Sequence, residues 1–261
     1  MYSMFKKRGL FRKRREEFSV DVSEQDGVRS LYLGTPTVQS SMRISDPYAL
    51  CLDYTQAMMA FLLFHSNVSS VACVGLGGGS IPKFIWKYLP TTRVDVVEIS
   101  QEVIDVSRAY FCVPENDARL SVQLGDGITW FDVNGGYDVA MLDAFDGHGV
   151  PDGFTSDFFI ENVKRSLRHD GIYLQNLWAN DPKLNERIWQ IEDHFENNLL
   201  IPTEKKGNVV AIAFKQSPPR RMVLEASKRA RDLHQTYGVD FASMISRARS
   251  YRSKSEKHLD L

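Results

Sequence analysis

Cysteine is scarce in this chain: Cys51, Cys73 and Cys112 are the three, far apart among 261 residues. An odd and scattered set gives neither a disulfide framework nor zinc-ligand spacing, so the expected setting is a reducing cytoplasm with no metal. The six histidines (His65, His148, His169, His194, His234 and His258) show no ligand spacing either, and His148 reads as a loop residue. No apolar run approaches the roughly 20 residues of a membrane span. Leu10-Phe11 is too short to be the core of a secretion signal. No internal repeat is present, which removes solenoids and propellers. A membrane role is therefore not expected.

A surplus of one charge is also missing, since the formal net charge is only -1. That balance conceals an uneven distribution. Residues 1–15 carry seven basic side chains and no acid, residues 16–219 carry 15 basic and 28 acidic, and residues 220–257 carry ten basic and four acidic. An acidic body favours a small cationic partner and repels nucleic acid. The basic ends read as solvated tails, with contact to an acidic partner or RNA as the sharper alternative.

What is present is a soluble α/β composition, 43% hydrophobic and 25% charged, enough for one large domain with appendages. Residues 1–16 read as a basic tail, disordered or loosely helical. Residues 17–50 read as a small antiparallel β unit: strand 18–23, a turn at Gln25-Asp-Gly27, strand 28–33, then 35–38 as an extension or bulge. Residues 51–217 form the main domain. A helix over 53–64 is followed by strands at 71–76, 94–99, 120–125, 137–143 and 171–177. Helices at 81–89, 101–111, 128–133, 155–168 and 182–197 alternate with them. Strands at 199–203 and 208–215 are joined so tightly that they must pair antiparallel. Five βα units ending in an antiparallel hairpin predict the seven-stranded, Rossmann-like sheet of class I methyltransferases. Residues 218–261 read as a basic helical extension, with helices at 221–237 and 240–250 split by Gly238 and docked through Leu224, Leu233, Phe241 and Ile245.

The organising stretch is Val71-Ala-Cys-Val-Gly-Leu-Gly-Gly-Gly-Ser80. A buried strand runs into Gly75, Gly77, Gly78 and Gly79, where the backbone can turn and approach a ligand that a Cβ would block. Ser80 is placed to cap the next helix and Pro82 suits its first turn. Glu98 ends the following strand, about twenty residues on, where a carboxylate grips ribose hydroxyls. Position 80 is Ser, so the dinucleotide spacing Gly-x-Gly-x-x-Gly is absent. A nucleoside ligand without a pyrophosphate fits better. Asp126, Asp143 and Asp146 end the next two strands. A strand-end Asp is as often a cap as a ligand. Four acids on one sheet edge repel one another unless a cation joins them. With no histidine or cysteine among them, an amine substrate and a sulfonium donor account for them better than a transition metal.

The segments Val74–Gly79, Val97-Glu-Ile99, Gly125-Asp-Gly127 and Tyr137–Asp146 together resemble the spermidine synthase (polyamine aminopropyltransferase) family, over roughly residues 17–216. The resemblance implies transfer of an aminopropyl group from decarboxylated S-adenosylmethionine to putrescine or a similar amine, with a homodimer as the expected assembly. By resemblance Glu98 and Ile99 hold the ribose side and Asp126-Gly127 the adenine. Asp143 takes the proton, Asp146 binds the amine, and Gln39, Tyr54 and Gln175 flank it. The chain departs from the family pattern at Ser80, where the family has an Asp for the aminopropyl amine. It departs again at Leu33-Gly-Thr-Pro, at Asp146-Gly147 and around Glu204–Gly207, where a family Tyr is missing. Ser80 keeps intact S-adenosylmethionine in play. The alternatives are thus a methyltransferase on the same fold and a non-catalytic binding homologue.

Overall fold

The computed structural model describes residues 8–15, 18–145, 149–205, 207–251, 257–259 and 261. Asp146, Gly147 and His148 lie outside the described residues, so the expectations placed on Asp146 and His148 are carried forward as such.

Two sheets organise the chain. The first has four antiparallel strands in sequential order: β1 (Arg8–Arg15), β2 (Phe18–Gln25), β3 (Val28–Leu33) and β4 (Val38–Arg43). Asp26 and Gly27 both take positive φ, 51° and 72°, which is the two-residue hairpin turn whose twist matches the flanking strands. Two expectations change here. Residues 8–15 are a strand, not disordered or helical. Their backbone pairs antiparallel with β2, Arg8 in register with Glu24 and Arg12 with Asp21, a pairing that a reading of the tail alone cannot see. Residues 35–38 do not extend the hairpin; a fourth strand starts at Val38 and returns along β3.

The second sheet contains β5 (Ser70–Val74), β6 (Arg93–Glu98), β7 (Leu120–Leu124), β8 (Tyr137–Leu142), β9 (Leu167–Trp178), β10 (Asn197–Pro202) and β11 (Asn208–Phe214). Their order is β10-β11-β9-β8-β5-β6-β7. The first five run parallel, and β11 is antiparallel to both of its neighbours. Every residue of β5 and β8 is buried, as central strands covered on both faces require. Alternate residues supply the two faces: Val71 and Cys73 face one apolar layer, Ala72 and Val74 the other. The chain leaves β5 towards β6 and later returns on its other side as β8. That reversal opens a crevice at the carboxyl ends of β5 and β8.

The helices are α1 (Asp53–Ala57), α2 (Ser80–Tyr88), α3 (Gln101–Phe111), α4 (Gly127–Trp130), α5 (Asp157–Ser166), α6 (Leu184–His194), α7 (Arg220–Tyr237) and α8 (Phe241–Ser250). The single helix expected over 53–64 is α1 followed by a 3-10 segment, Met58–Leu63. All six of those side chains are buried, so packing on every side replaces the one-faced stripe that favours a regular α-helix. Gly238 ends α7 in the left-handed region as expected. Phe241 and Ile245 are buried and Leu233 packs on the core. Leu224 does not: it is 73% exposed, and α7 docks through the small side chains of Ala226 and Ala230 instead.

The first sheet is fastened to the second layer at the end of α3. Arg29 on β3 donates to the Tyr110 carbonyl at 2.6 Å, and Lys83 on α2 donates to the carbonyls of Phe111 and Pro47. Cations belong there, where a helix leaves carbonyls unpaired. Lys83 is fully buried, and burial lowers its pKa to about 8. Among the described residues no helix is long and apolar enough to cross a membrane.

Candidate active site

The crevice holds a cavity of about 360 Å³. Its floor is the turn after β5. Gly75 sits at φ 92°, and a Cβ there would lie 2.3 Å from the Asp143 carbonyl oxygen. Only glycine lets this turn pass against the end of β8. The contact is stitched on both sides: the Gly75 N–H donates to the Val97 carbonyl at 2.9 Å, and the Asp143 N–H to the Val74 carbonyl at 3.0 Å.

Gly75 and Gly77 line the cavity, but Gly78 and Gly79 do not. The expectation that all four approach a ligand is corrected accordingly. A Cβ on Gly78 would come within 2.6 Å of Ser40 Oγ, and one on Gly79 within 2.4 Å of Val113. These two keep the turn pressed on β4 and the segment after α3. Ser80 is not the cap of α2 either. Gly79 occupies the cap position at φ 66° with no side-chain cap, and Ser80 is the first helical residue. Its hydroxyl instead meets Ser40 Oγ at 3.2 Å on the cavity wall. Pro82 does fall in the first turn of α2.

Glu98 ends β6, is 9% exposed, and reaches the cavity. Its Oε2 accepts from the Leu76 N–H and its Oε1 from the Ser100 N–H, each at 2.9 Å. Burial raises its pKa, and backbone N–H groups of Leu76, Ser100, Ile99 and Gly77 pull it back. Each carboxylate oxygen keeps lone-pair capacity for a further donor. Ile99 is 75% exposed and forms part of the rim. Asp126 and Gly127 also line the cavity. Asp126 caps α4, its Oδ1 accepting from the Ile128 N–H at 2.9 Å, so the cap reading and a place at the cavity hold together.

Asp143 stands immediately after β8 and lines the opposite side. The parallel register pairs Leu142 with Gln175, which brings Asp143 beside Asn176. The Asn176 amide donates to Asp143 Oδ1 at 2.9 Å. Tyr54, on α1, also hydrogen-bonds the Asp143 carboxylate, and its hydroxyl lies 3.3 Å from the Gln39 carbonyl. Burial raises the Asp143 pKa to about 6, against the donations from Asn176 and Tyr54 that lower it. Burial and the Asp143 charge push the Tyr54 hydroxyl well above its ordinary range, and the same two causes raise the Cys73 thiol at the cavity floor. Both therefore stay neutral at physiological pH. Gln39 and Tyr54 line the cavity as expected.

Gln175 does not. Side chains alternate along a strand, and Gln175 shares its face with Tyr173 and Leu177, towards α5 and α6. The Tyr173 hydroxyl donates to its Oε1 at 3.0 Å, and its Nε2 has no partner among the described residues. The neighbour whose side chain reaches Asp143 is Asn176, one position from the residue that sequence reasoning picked. The signal that finds it is the face shared by Ile172, Leu174 and Asn176, read together with the register to Asp143.

Charge gives the cavity its character. Glu98, Asp126 and Asp143 line it, and no Lys, Arg or His does so among the described residues. No group of three or more potential metal ligands occurs among the described residues. The site therefore offers carboxylates and hydroxyls around an apolar cleft, suited to a ligand that carries positive charge and hydrogen-bond donors.

Comparison with known proteins agrees with that geometry. The spermine/spermidine synthase domain matches residues 52–199. A polyamine aminopropyltransferase of Chromobacterium violaceum is 35% identical over 242 residues, spanning 92% of this chain and 93% of that protein. Among solved structures, a probable spermidine synthase from Corynebacterium glutamicum superposes with a TM-score of 0.71 at 20% identity, covering 96% of this chain and 98% of that one. Human methyltransferase-like protein 13 in complex with SAH superposes with a TM-score of 0.64 at 23% identity, covering 79% of this chain and 96% of that one. The two structural likenesses carry the fold; the sequence matches carry the kinship, and by them this chain belongs to the spermine/spermidine synthase family.

Proposed function

We propose that the protein transfers an aminopropyl group from decarboxylated S-adenosylmethionine to a small amine such as putrescine. The observation that carries the reading is the cavity lining, three carboxylates with no basic side chain among the described residues. A sulfonium donor without a carboxylate brings only positive charge into it. The intact donor would bring a carboxylate with no cation to meet it, which low-dielectric surroundings penalise.

Glu98, with its oxygens already oriented by backbone N–H groups, receives the ribose hydroxyls. Asp126 accepts from the adenine amino group through the oxygen its cap leaves available. The amine lies between Asp143 and Tyr54, with Asp146 as its second anionic partner by resemblance. The neutral amine nitrogen attacks the aminopropyl carbon next to sulfur. A C–N bond forms as the C–S bond breaks, the bonding pair returns to sulfur, and methylthioadenosine leaves. The new ammonium gives its proton to Asp143. A carboxylate raised to about pKa 6 is still ionised at neutral pH and is a better base than an ordinary Asp, which is the balance general-base catalysis needs. Alignment of nucleophile and leaving group in a closed cleft supplies much of the remainder.

A methyltransferase reading has one specific observation in its favour. Ser80 and Ser40 place neutral hydroxyls on the cavity wall where the family pattern has an Asp for the aminopropyl amine. Calorimetry on the purified protein separates the two. The proposal expects decarboxylated S-adenosylmethionine and methylthioadenosine to bind and the intact donor to bind at least about tenfold more weakly. Tighter binding of the intact donor would overturn it.

A further inference from the structure

Beyond the residues that meet the ligands, a line of side-chain amides runs away from Asp143 across the sheet. Asn176 on β9 donates from Nδ2 to Asp143 Oδ1 at 2.9 Å, and Asn208, the first residue of β11, donates from Nδ2 to Asn176 Oδ1, also at 2.9 Å. Asn176 is 2% exposed and shares its sheet face with Leu174, while Asn208 continues the face of Val210 and Ile212. Asn208 is itself held at its backbone: its N–H donates to Thr203 Oγ1 at 3.0 Å, and its carbonyl accepts from the Thr203 N–H at 2.9 Å.

We infer that Asn208 is a positioning residue for the reaction, acting through Asn176 to fix which end of that amide faces Asp143. A side-chain amide has a donor end and an acceptor end of almost the same shape. Turned one way, Asn176 steadies the Asp143 carboxylate. Turned over, its carbonyl oxygen faces that carboxylate and repels it. The ionised Asp143 already favours the donor end, and the donor on Asn208, by claiming the amide oxygen, adds to that preference and holds the amide in place. Among the described residues Asn208 is not part of the cavity lining, and its side-chain amide reaches Asn176. The relay crosses three strands, so it exists only because β11 is antiparallel to β9 and β9 parallel to β8.

The inference rests on Asp143 being the proton acceptor. The groups that face Asp143 from the packed elements are Tyr54 of α1, Asn176 of β9 and Cys73 of β5, with Glu98 and Asp126 across the cavity. Of these the tyrosine and the thiol stay neutral, and the two carboxylates are common to every variant below. The substrate amine, which must be neutral to attack, and Asp146 are likewise common to every variant, so the displacement of the acid limb between variants reports Asp143. An ionised Asp143 is active, so activity rises as pH climbs through its pKa. Losing the Asn176 donation raises that pKa and moves the limb to higher pH.

The test is the pH dependence of methylthioadenosine release in wild type, Asn208→Leu, Asn208→Ala and Asp143→Asn. Asn208→Leu removes the donor. Asn208→Ala removes it without adding bulk or charge, and it remains informative should the leucine variant fold poorly. The expected result is an acid limb displaced upward by about one pH unit in each folded Asn208 variant, with methylthioadenosine affinity unchanged. An unmoved limb in the folded variants, with Asp143→Asn inactive, would overturn the relay and leave the proposed function standing. Full activity in Asp143→Asn would overturn the proposed function itself, and the relay with it.

Discussion

Glu98 and Asp143 are both carboxylates at strand ends, both enclosed, and both raised in pKa by burial. They differ in what holds them. Glu98 is gripped by backbone N–H groups of the two loops beside it. Asp143 is gripped by side chains from two distant elements, Asn176 and Tyr54. Backbone donors come with the turn and are fixed by the same residues that make it. Side-chain donors depend on strand register and on the docking of α1. The Glu98 side of the cavity is thus a local construction, and the Asp143 side is assembled by the whole fold. Under the proposed function, the group that binds would be held by its own turn, and the group that takes the proton by side chains brought from elsewhere.

Substitutions can break that contrast. The largest effect is expected at Asp143→Asn, which keeps the shape and the Asn176 contact but cannot accept a proton. Turnover should fall by about 10²–10⁴-fold, with methylthioadenosine binding unchanged by calorimetry. Glu98→Gln should show the opposite split. An amide there must turn a donor towards a backbone N–H that already donates, so methylthioadenosine affinity should drop by roughly tenfold to a hundredfold, and what turnover remains at saturating donor should be less affected.

A smaller effect sharpens the comparison through stability. Asp143 has its pKa raised from an ordinary 3.8 to about 6, so the folded state holds that proton more tightly than the unfolded chain. The sign follows: burying the charged form opposes folding above about pH 6, and the penalty fades as pH falls through that value towards 4. Asp143→Asn should therefore melt at a higher temperature than wild type at pH 7.5, by an amount corresponding to about 1–3 kcal/mol. The gain should vanish near pH 4. A variant that loses activity and gains stability would mark a residue kept for chemistry at the expense of the fold.

The same contrast explains what could be read from the sequence. Val71–Gly79 and Glu98 lie within one βαβ unit, and their placement follows from short-range rules: an apolar run, a glycine turn, an acid at the next strand end. The alternation of strands and helices, the closing hairpin and the split at Gly238 were legible for the same reason. Asn176 was not. Its part depends on which face of β9 meets β8, and a one-residue error at Gln175 turns the side chain towards α5 and α6. Gly78 and Gly79 look like ligand-binding glycines, yet their neighbours are Ser40 and Val113, residues far off in the chain. Ser80 looked like a cap because serine caps are common, but Gly79 takes that position and frees the hydroxyl for Ser40. The strand at Arg8–Arg15 is hidden because what makes it a strand is its pairing with β2, which the composition of the tail does not carry.

The most direct measurement is the fate of the donor when wild type and Asp143→Asn are each incubated with decarboxylated S-adenosylmethionine and putrescine, with methylthioadenosine and the amine product followed by chromatography. The account predicts equimolar methylthioadenosine and aminopropylated amine from wild type, and almost none of either from Asp143→Asn. Absence of methylthioadenosine from wild type, together with SAH formed from intact S-adenosylmethionine, would contradict it.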